Sequence, residues 1–175
     1  LVLLLAAGIA GGYLYTGGPW PLKYHGLGEL AIFLLMGPLL FAALELCLAG
    51  RVSRDMLLLS PAFGALTAAV LLANNLRDCG QDARAGIVTA ATMLGAEVAG
   101  LVFTLLLLLP FVAVALLAWY GIFCQKILVC WVLLPAAGWI CLPVWKKNPP
   151  GCLDRLVQAA FGFQLLFSFL LILGI

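Results

Sequence analysis

Long apolar runs constrain this chain more than any other feature. They extend from about Leu1 to Tyr15, Leu27 to Ala49, Met56 to Leu76, Ala90 to Trp119, Ile127 to Trp145 and Leu153 to Ile175. Most reach the ~20 residues that a helix needs to cross a bilayer. A backbone in lipid must satisfy its own hydrogen bonds, which leaves helices or closed barrels. These Leu-, Ala- and Gly-rich runs lack the alternation of barrel strands. The expected fold is therefore all-α: a polytopic transmembrane helix bundle of about six helices, forming one transmembrane domain over residues 1–175. Charged residues make up 9% of the chain, against ~25% in soluble domains. Nine Lys and Arg residues, scattered along the chain, do not form a nucleic-acid surface. The lipid bilayer is the expected environment. The six cysteines form no C-x-x-C pair and read as small packing residues.

Breaks between the runs are legible. Thr16 to Pro21 holds two glycines and two prolines, which end the first helix, and Lys23, Tyr24 and His25 follow. Trp20 and Tyr24 suit the membrane interface. Gly8-x-x-x-Gly12 allows close helix approach. Gly37-Pro38 predicts a kink in the second run and Pro110 a bend in the fourth. Glu29, at a helix start, suits the helix dipole, Glu45 reads as structural, and Glu97 reads as interfacial. With six crossings, the loops at 16–28, 77–89 and 146–155 share one side. They hold six of the nine Lys and Arg residues, so the positive-inside rule makes that side cytoplasmic. The chain opens at Leu1 within an apolar run that no charged n-region precedes, unlike a signal peptide. That opening predicts the C-terminal part of a longer protein.

The densest polar stretch is Asn74-Asn75-Leu76-Arg77-Asp78-Cys79-Gly80-Gln81-Asp82-Ala83-Arg84. If the third run continues as a helix, Asn74, Asp78 and Asp82 stack on one face a turn apart. Like charges at that spacing repel, so a cation is expected between them. Carboxylate and amide oxygens favour a hard ion such as Mg²⁺, which keeps waters and bridges to phosphate. Arg77 and Arg84 flank the pair and could hold the rest of a phosphate. Arg77 projects about 100° from Asp78 on an ideal helix, which also allows it to face lipid headgroups. The competing reading is a solvated loop that caps a membrane helix.

Two sets of residues carry a family resemblance. One is Tyr15-Thr16-Gly17-Gly18-Pro19, Leu22-Lys23-Tyr24, Leu27-Gly28-Glu29 and Gly37-Pro38. The other is Asn74-Asn75-Leu76-Arg77-Asp78-x-x-x-Asp82-x-x-Ala85-Gly86, followed by Thr89 and Leu94-Gly95. Together they resemble the UbiA superfamily of membrane prenyltransferases, in its MenA-like 1,4-dihydroxy-2-naphthoate branch. The resemblance implies nine helices around a cavity, with two Asp-rich motifs that bind Mg²⁺ and an isoprenoid diphosphate. Asp78 and Asp82 match the second motif, and Lys23 matches a basic loop position. The first motif has no match here, which agrees with a C-terminal fragment, and a half-built diphosphate site would leave this piece alone inactive.

The implied reaction transfers a polyprenyl group from its diphosphate to an aromatic acceptor of the dihydroxynaphthoate kind, in menaquinone biosynthesis in a bacterial inner membrane. Asp78 and Asp82 would hold the metal. Lys23 would be catalytic, and Asn74, Asn75, Arg77 and Arg84 would bind substrate. Tyr15 and Tyr24 either line the site or anchor at the interface. Gly80-Gln81-Asp82-Ala83-Arg84 echoes the opening of a CDP-alcohol phosphotransferase motif, but Cys79 stands where that motif needs Asp. A transporter would carry ionisable groups at mid-membrane and broken helices in repeated positions. Here the polar residues cluster toward one face.

Overall fold

The computed structural model describes residues 1–146 and 153–175, and part of the expected 146–155 loop lies outside them. The described residues form helices and no strands. The helices are α1 (Val2–Thr16), α2 (Gly28–Ala49), α3 (Arg54–Arg84), α4 (Ala90–Trp119), α5 (Leu134–Trp145) and α6 (Asp154–Gly174). A 3₁₀ helix, Gln125–Leu133, leads into α5. Five of these units are long and apolar enough to cross a membrane, counting Gln125–Trp145 as one, and α1 is shorter. The expected all-α membrane bundle holds.

α3 organises the bundle by packing against α2, α4 and α6. Its inner faces carry Ala62, Gly64, Ala65, Ala68, Ala69 and Ala73, all buried. In lipid, helix association depends on close packing rather than hydrophobic expulsion, so small residues favour the interface. The closest approach is at Gly64 and Gly37. A Cβ on Gly64 would stand 2.5 Å from the Phe33 carbonyl oxygen, and one on Gly37 would stand 2.9 Å from that of Ser60. Polar bonds add to this packing, with Gln164 Nε2 donating to Thr67 Oγ1 at 3.0 Å between α6 and α3. Phe111, Phe163 and Phe167 fill the space between α4 and α6.

Several local expectations change in form. The kink at Gly37-Pro38 is a π turn over Leu35–Leu39, since proline lacks the N–H for a regular i→i−4 bond. α1 approaches α2 through Gly8 and Gly11, whose added Cβ atoms would meet Leu39 and Leu35, whereas Gly12 faces open space. The non-helical residue within α4 is Gly95, at φ 76° and ψ 159°, rather than Pro110. Only glycine occupies that region readily. The fifth run starts as a nine-residue 3₁₀ helix. There a Cβ on Gly174 would lie 2.7 Å from Ile127 Cα, so α6 packs directly on that backbone.

The ends of the helices fall on two faces. A cavity of about 560 Å³ joins Arg54 and Asp55 to Tyr120 and Ile122 at one end. At the other end, a cavity of about 450 Å³ joins Leu76 to Glu97, Trp145, Lys146 and Leu153. Glu97 is exposed there. Met93, one turn before it, presses its sulfur against Gly26. The 17–27 loop therefore shares a face with the end of α3, as the crossing count predicts.

Candidate functional site

α3 continues unbroken from Arg54 to Arg84, about 46 Å at 1.5 Å per residue. That exceeds the ~30 Å hydrocarbon core, enough for its last turns to reach past the apolar layer. The polar stretch is the exposed end of a helix, and the loop expected at 77–89 shrinks to the turn after Arg84. Ile87 N–H closes that turn by donating to Asp82 O at 2.8 Å. Thr89 caps α4 in a reciprocal box with Thr92, which satisfies amides at the helix start.

At 100° per residue, Leu71, Asn75, Asp78 and Asp82 fall within about 60° of one another on α3. Leu71 fixes the direction of this stripe. Around Gly28, an added Cβ would meet Lys23 Cα at 3.6 Å, Leu71 Cδ2 at 3.7 Å and Tyr15 Cε2 at 3.7 Å. The stripe therefore lies toward the start of α2 and the loop carrying Lys23. Asp78 and Asp82 sit two and three turns beyond Leu71 on the same side.

The cation beside Asp78 is Arg77. Its guanidinium turns back along the helix: Nε donates to Asp78 Oδ1 at 2.7 Å and Nη2 to Oδ2 at 2.8 Å. Nη2 also donates to Asn74 Oδ1 at 2.7 Å, and Asn74 Nδ2 donates to Asp78 Oδ2 at 3.3 Å. The 100° offset of an ideal helix is bridged by the length of the arginine side chain. Both partners remain accessible, at 32% for Arg77 and 30% for Asp78. Asp82 is half-buried and Arg84 exposed. Lys23 is half-buried, its Nζ 5.5 Å from the Tyr24 ring centroid. His25 is a loop residue with Nδ1 2.8 Å from the Pro21 carbonyl oxygen.

Asn75 faces inward, where its Nδ2 donates to Glu29 Oε1 at 2.7 Å. Glu29 is only 8% exposed, and it follows Gly28, whose added Cβ would meet the Tyr15 ring. It sits in the first turn of its helix, as a dipole-favoured carboxylate should. The reading of the sequence missed its pairing with Asn75. The missed signal was Glu29 itself, a lone carboxylate at the start of an apolar run, which needs a polar partner from a neighbouring helix.

Among the described residues, no group of three or more His, Cys, Asp or Glu side chains could hold a metal ion. Asp78 and Asp82 offer two carboxylates one turn apart, with the Asn74 amide a turn before them. Arg77 occupies both Asp78 oxygens and the Asn74 carbonyl; once it turns away, that oxygen set suits a hard divalent cation that completes its shell with water and phosphate.

Known proteins place the chain in a family. The family model described as the UbiA prenyltransferase family matches residues 1–170. A 1,4-dihydroxy-2-naphthoate octaprenyltransferase from Mycobacterium tuberculosis is 42% identical over 130 residues, covering 67% of this chain and 44% of that protein. The UbiA prenyltransferase domain-containing protein 1 of Danio rerio is 36% identical over 118 residues, and that of Homo sapiens 35%. Each of these two matches covers 67% of this chain and 35% of the relative. The matched stretch thus spans less than half the length of each relative.

Proposed function

This chain belongs to the UbiA prenyltransferase family, and from that premise we propose that it serves Mg²⁺-dependent transfer of a polyprenyl group from polyprenyl diphosphate to an aromatic acceptor. The acceptor class is 1,4-dihydroxy-2-naphthoate, the product a menaquinone precursor, and the setting a bacterial inner membrane with the Lys23 and Asp78 face cytoplasmic. Residues 1–175 act as a single transmembrane unit. The observation that carries this reading is the stripe of Asn74, Asp78 and Asp82 on one helix end, with Arg77 locked to it and the Lys23 loop on the same face.

Each residue has a role set by its chemistry. Asp78 and Asp82 would hold the divalent cation, whose contribution when bound is Lewis-acid stabilisation of a diphosphate leaving group. Arg77 presents a planar fork suited to phosphate oxygens as well as carboxylate. Lys23 supplies a mobile point charge, and Arg84 a second guanidinium at the rim. Fixed cations here favour the charge that grows as the allylic C–O bond breaks. Asn74 keeps Arg77 and Asp78 in register, and Asn75 ties the helix to the start of α2. Tyr15 and Tyr24 border the loop that would cover the acceptor. Apolar walls keep water from the carbocation, which the aromatic ring then captures as its carboxylate leaves as CO₂.

The test is prenyl transfer by the intact enzyme with a radiolabelled donor. Asp78→Ala and Asp82→Ala should each abolish transfer while the protein stays folded in detergent. Full activity in either variant removes the assignment.

A further inference from the structure

The buried carboxylate of Glu29 has no place in the diphosphate chemistry. Glu29 Oε1 accepts from Asn75 Nδ2 at 2.7 Å. Glu29 Oε2 is buried and has no hydrogen-bond partner among the described residues. Leaving a buried carboxyl oxygen unsatisfied is costly, and removing a partner from such a group destabilises more than the hydrogen bond itself contributes. Oε2 thus keeps the capacity for one further hydrogen bond.

The surroundings identify its donor. Tyr15 and Lys23 lie beside the start of α2, and both are only half-buried. The loop between them and Glu29 is bounded by Gly18 and Gly26, both at positive φ. Asn75 lies three residues from Asp78 on a continuous helix, about 4.5 Å along its axis. A ligand reaching Oε2 would therefore sit one turn inward of the carboxylates assigned to the diphosphate. It must donate a hydrogen, be flat enough to lie against the Tyr15 ring, and be apolar enough to enter between helices. An aromatic hydroxyl meets all three demands, whereas a diphosphate, which only accepts, would be repelled.

We infer that Glu29 Oε2 accepts the hydrogen bond of a hydroxyl group on the aromatic acceptor, and that Asn75 holds the carboxylate in position to do so. This rests on the proposed transferase reading and specifies the acceptor side of the same site. Among aromatic compounds it selects those with a free hydroxyl.

The experiment measures binding of 1,4-dihydroxynaphthalene-2-carboxylate to the intact protein in detergent by tryptophan fluorescence, alongside transfer from labelled polyprenyl diphosphate. Glu29→Gln keeps an oxygen for Asn75 but presents an N–H donor where Oε2 stood. It should weaken binding of the naphthalene by ten-fold or more and leave the donor KM within two-fold of wild type. Glu29→Asp, which keeps the charge but shortens the reach, should fall between the two. Unchanged naphthalene binding in Glu29→Gln overturns the inference, as does a wild-type protein that does not bind the compound. If Glu29→Gln does not accumulate, the two mono-methyl ethers of the naphthalene decide on wild-type protein. One ether binding ten-fold weaker supports the inference, and both binding like the parent compound overturns it. Wild-type protein that binds the naphthalene but transfers no prenyl group defeats the proposed function and leaves the Glu29 assignment standing.

Discussion

Removing Arg77 separates two roles that its geometry combines. In structure it is a staple, with a side-on pair to Asp78 at 2.7 and 2.8 Å and a bond to Asn74 at 2.7 Å. Arg77 and Asp78 are 32% and 30% exposed, so water screens their attraction. An ion pair of that accessibility contributes at most ~1 kcal/mol to stability. If Arg77 also stabilises the leaving diphosphate, the kinetic loss is larger. Deleting one preorganised donor to a developing anion costs roughly 10²–10³ in rate. Arg77→Ala should therefore shift thermal unfolding in detergent by only a few degrees while transfer falls by about 100-fold. Arg77→Lys keeps the charge but loses the fork, so its rate should be intermediate, with stability close to wild type. The assay is initial-rate prenyl transfer, paired with an unfolding curve for each variant. A well-folded Arg77→Ala that transfers within two-fold of wild type would refute the catalytic role. A stability loss of several kcal/mol would show instead that the pair is far less screened than its exposure indicates.

Other consequences follow from packing and topology. Gly64→Val places carbon 2.5 Å from the Phe33 carbonyl oxygen, and such overpacking costs ~1–3 kcal/mol, which thermal unfolding in detergent should register. Thr89→Val keeps the shape but removes the hydroxyl that accepts from Thr92 N–H, a loss of ~0.5–2 kcal/mol that hydrogen exchange at the start of α4 should report. Cys79 and Cys124 stand at opposite ends of the bundle, half-buried and exposed respectively. In single-cysteine variants, an impermeant maleimide should therefore label them from opposite sides of the membrane, and labelling of both from one side would contradict the topology.

The parts of the fold set by local chemistry were legible in the chain. Apolar length gave the crossings, glycine and proline gave the breaks, and spacing along one helix gave the stripe of Asn74, Asp78 and Asp82. What was not legible depended on choices between neighbours of similar merit. Arg77 is long enough to bridge its helical offset from Asp78, so an ideal wheel left open whether it faced Asp78 or lipid headgroups. Glu29 and Asn75 are 46 residues apart, and no periodicity links them. Gly95 takes a backbone conformation closed to other residues, but nothing local separates it from the helix-compatible glycine at Gly100. The 3₁₀ start before α5 reflects contact with Gly174, which becomes visible only once α6 is docked.

The central claim is that Asp78 and Asp82 together hold a divalent cation against a diphosphate. Its most direct test is electron paramagnetic resonance of Mn²⁺, standing in for Mg²⁺, titrated into the intact protein with a non-reactive polyprenyl diphosphate analogue. The account predicts bound Mn²⁺ in wild type, lost in both Asp78→Asn and Asp82→Asn. Equal Mn²⁺ occupancy in wild type and either variant would contradict it.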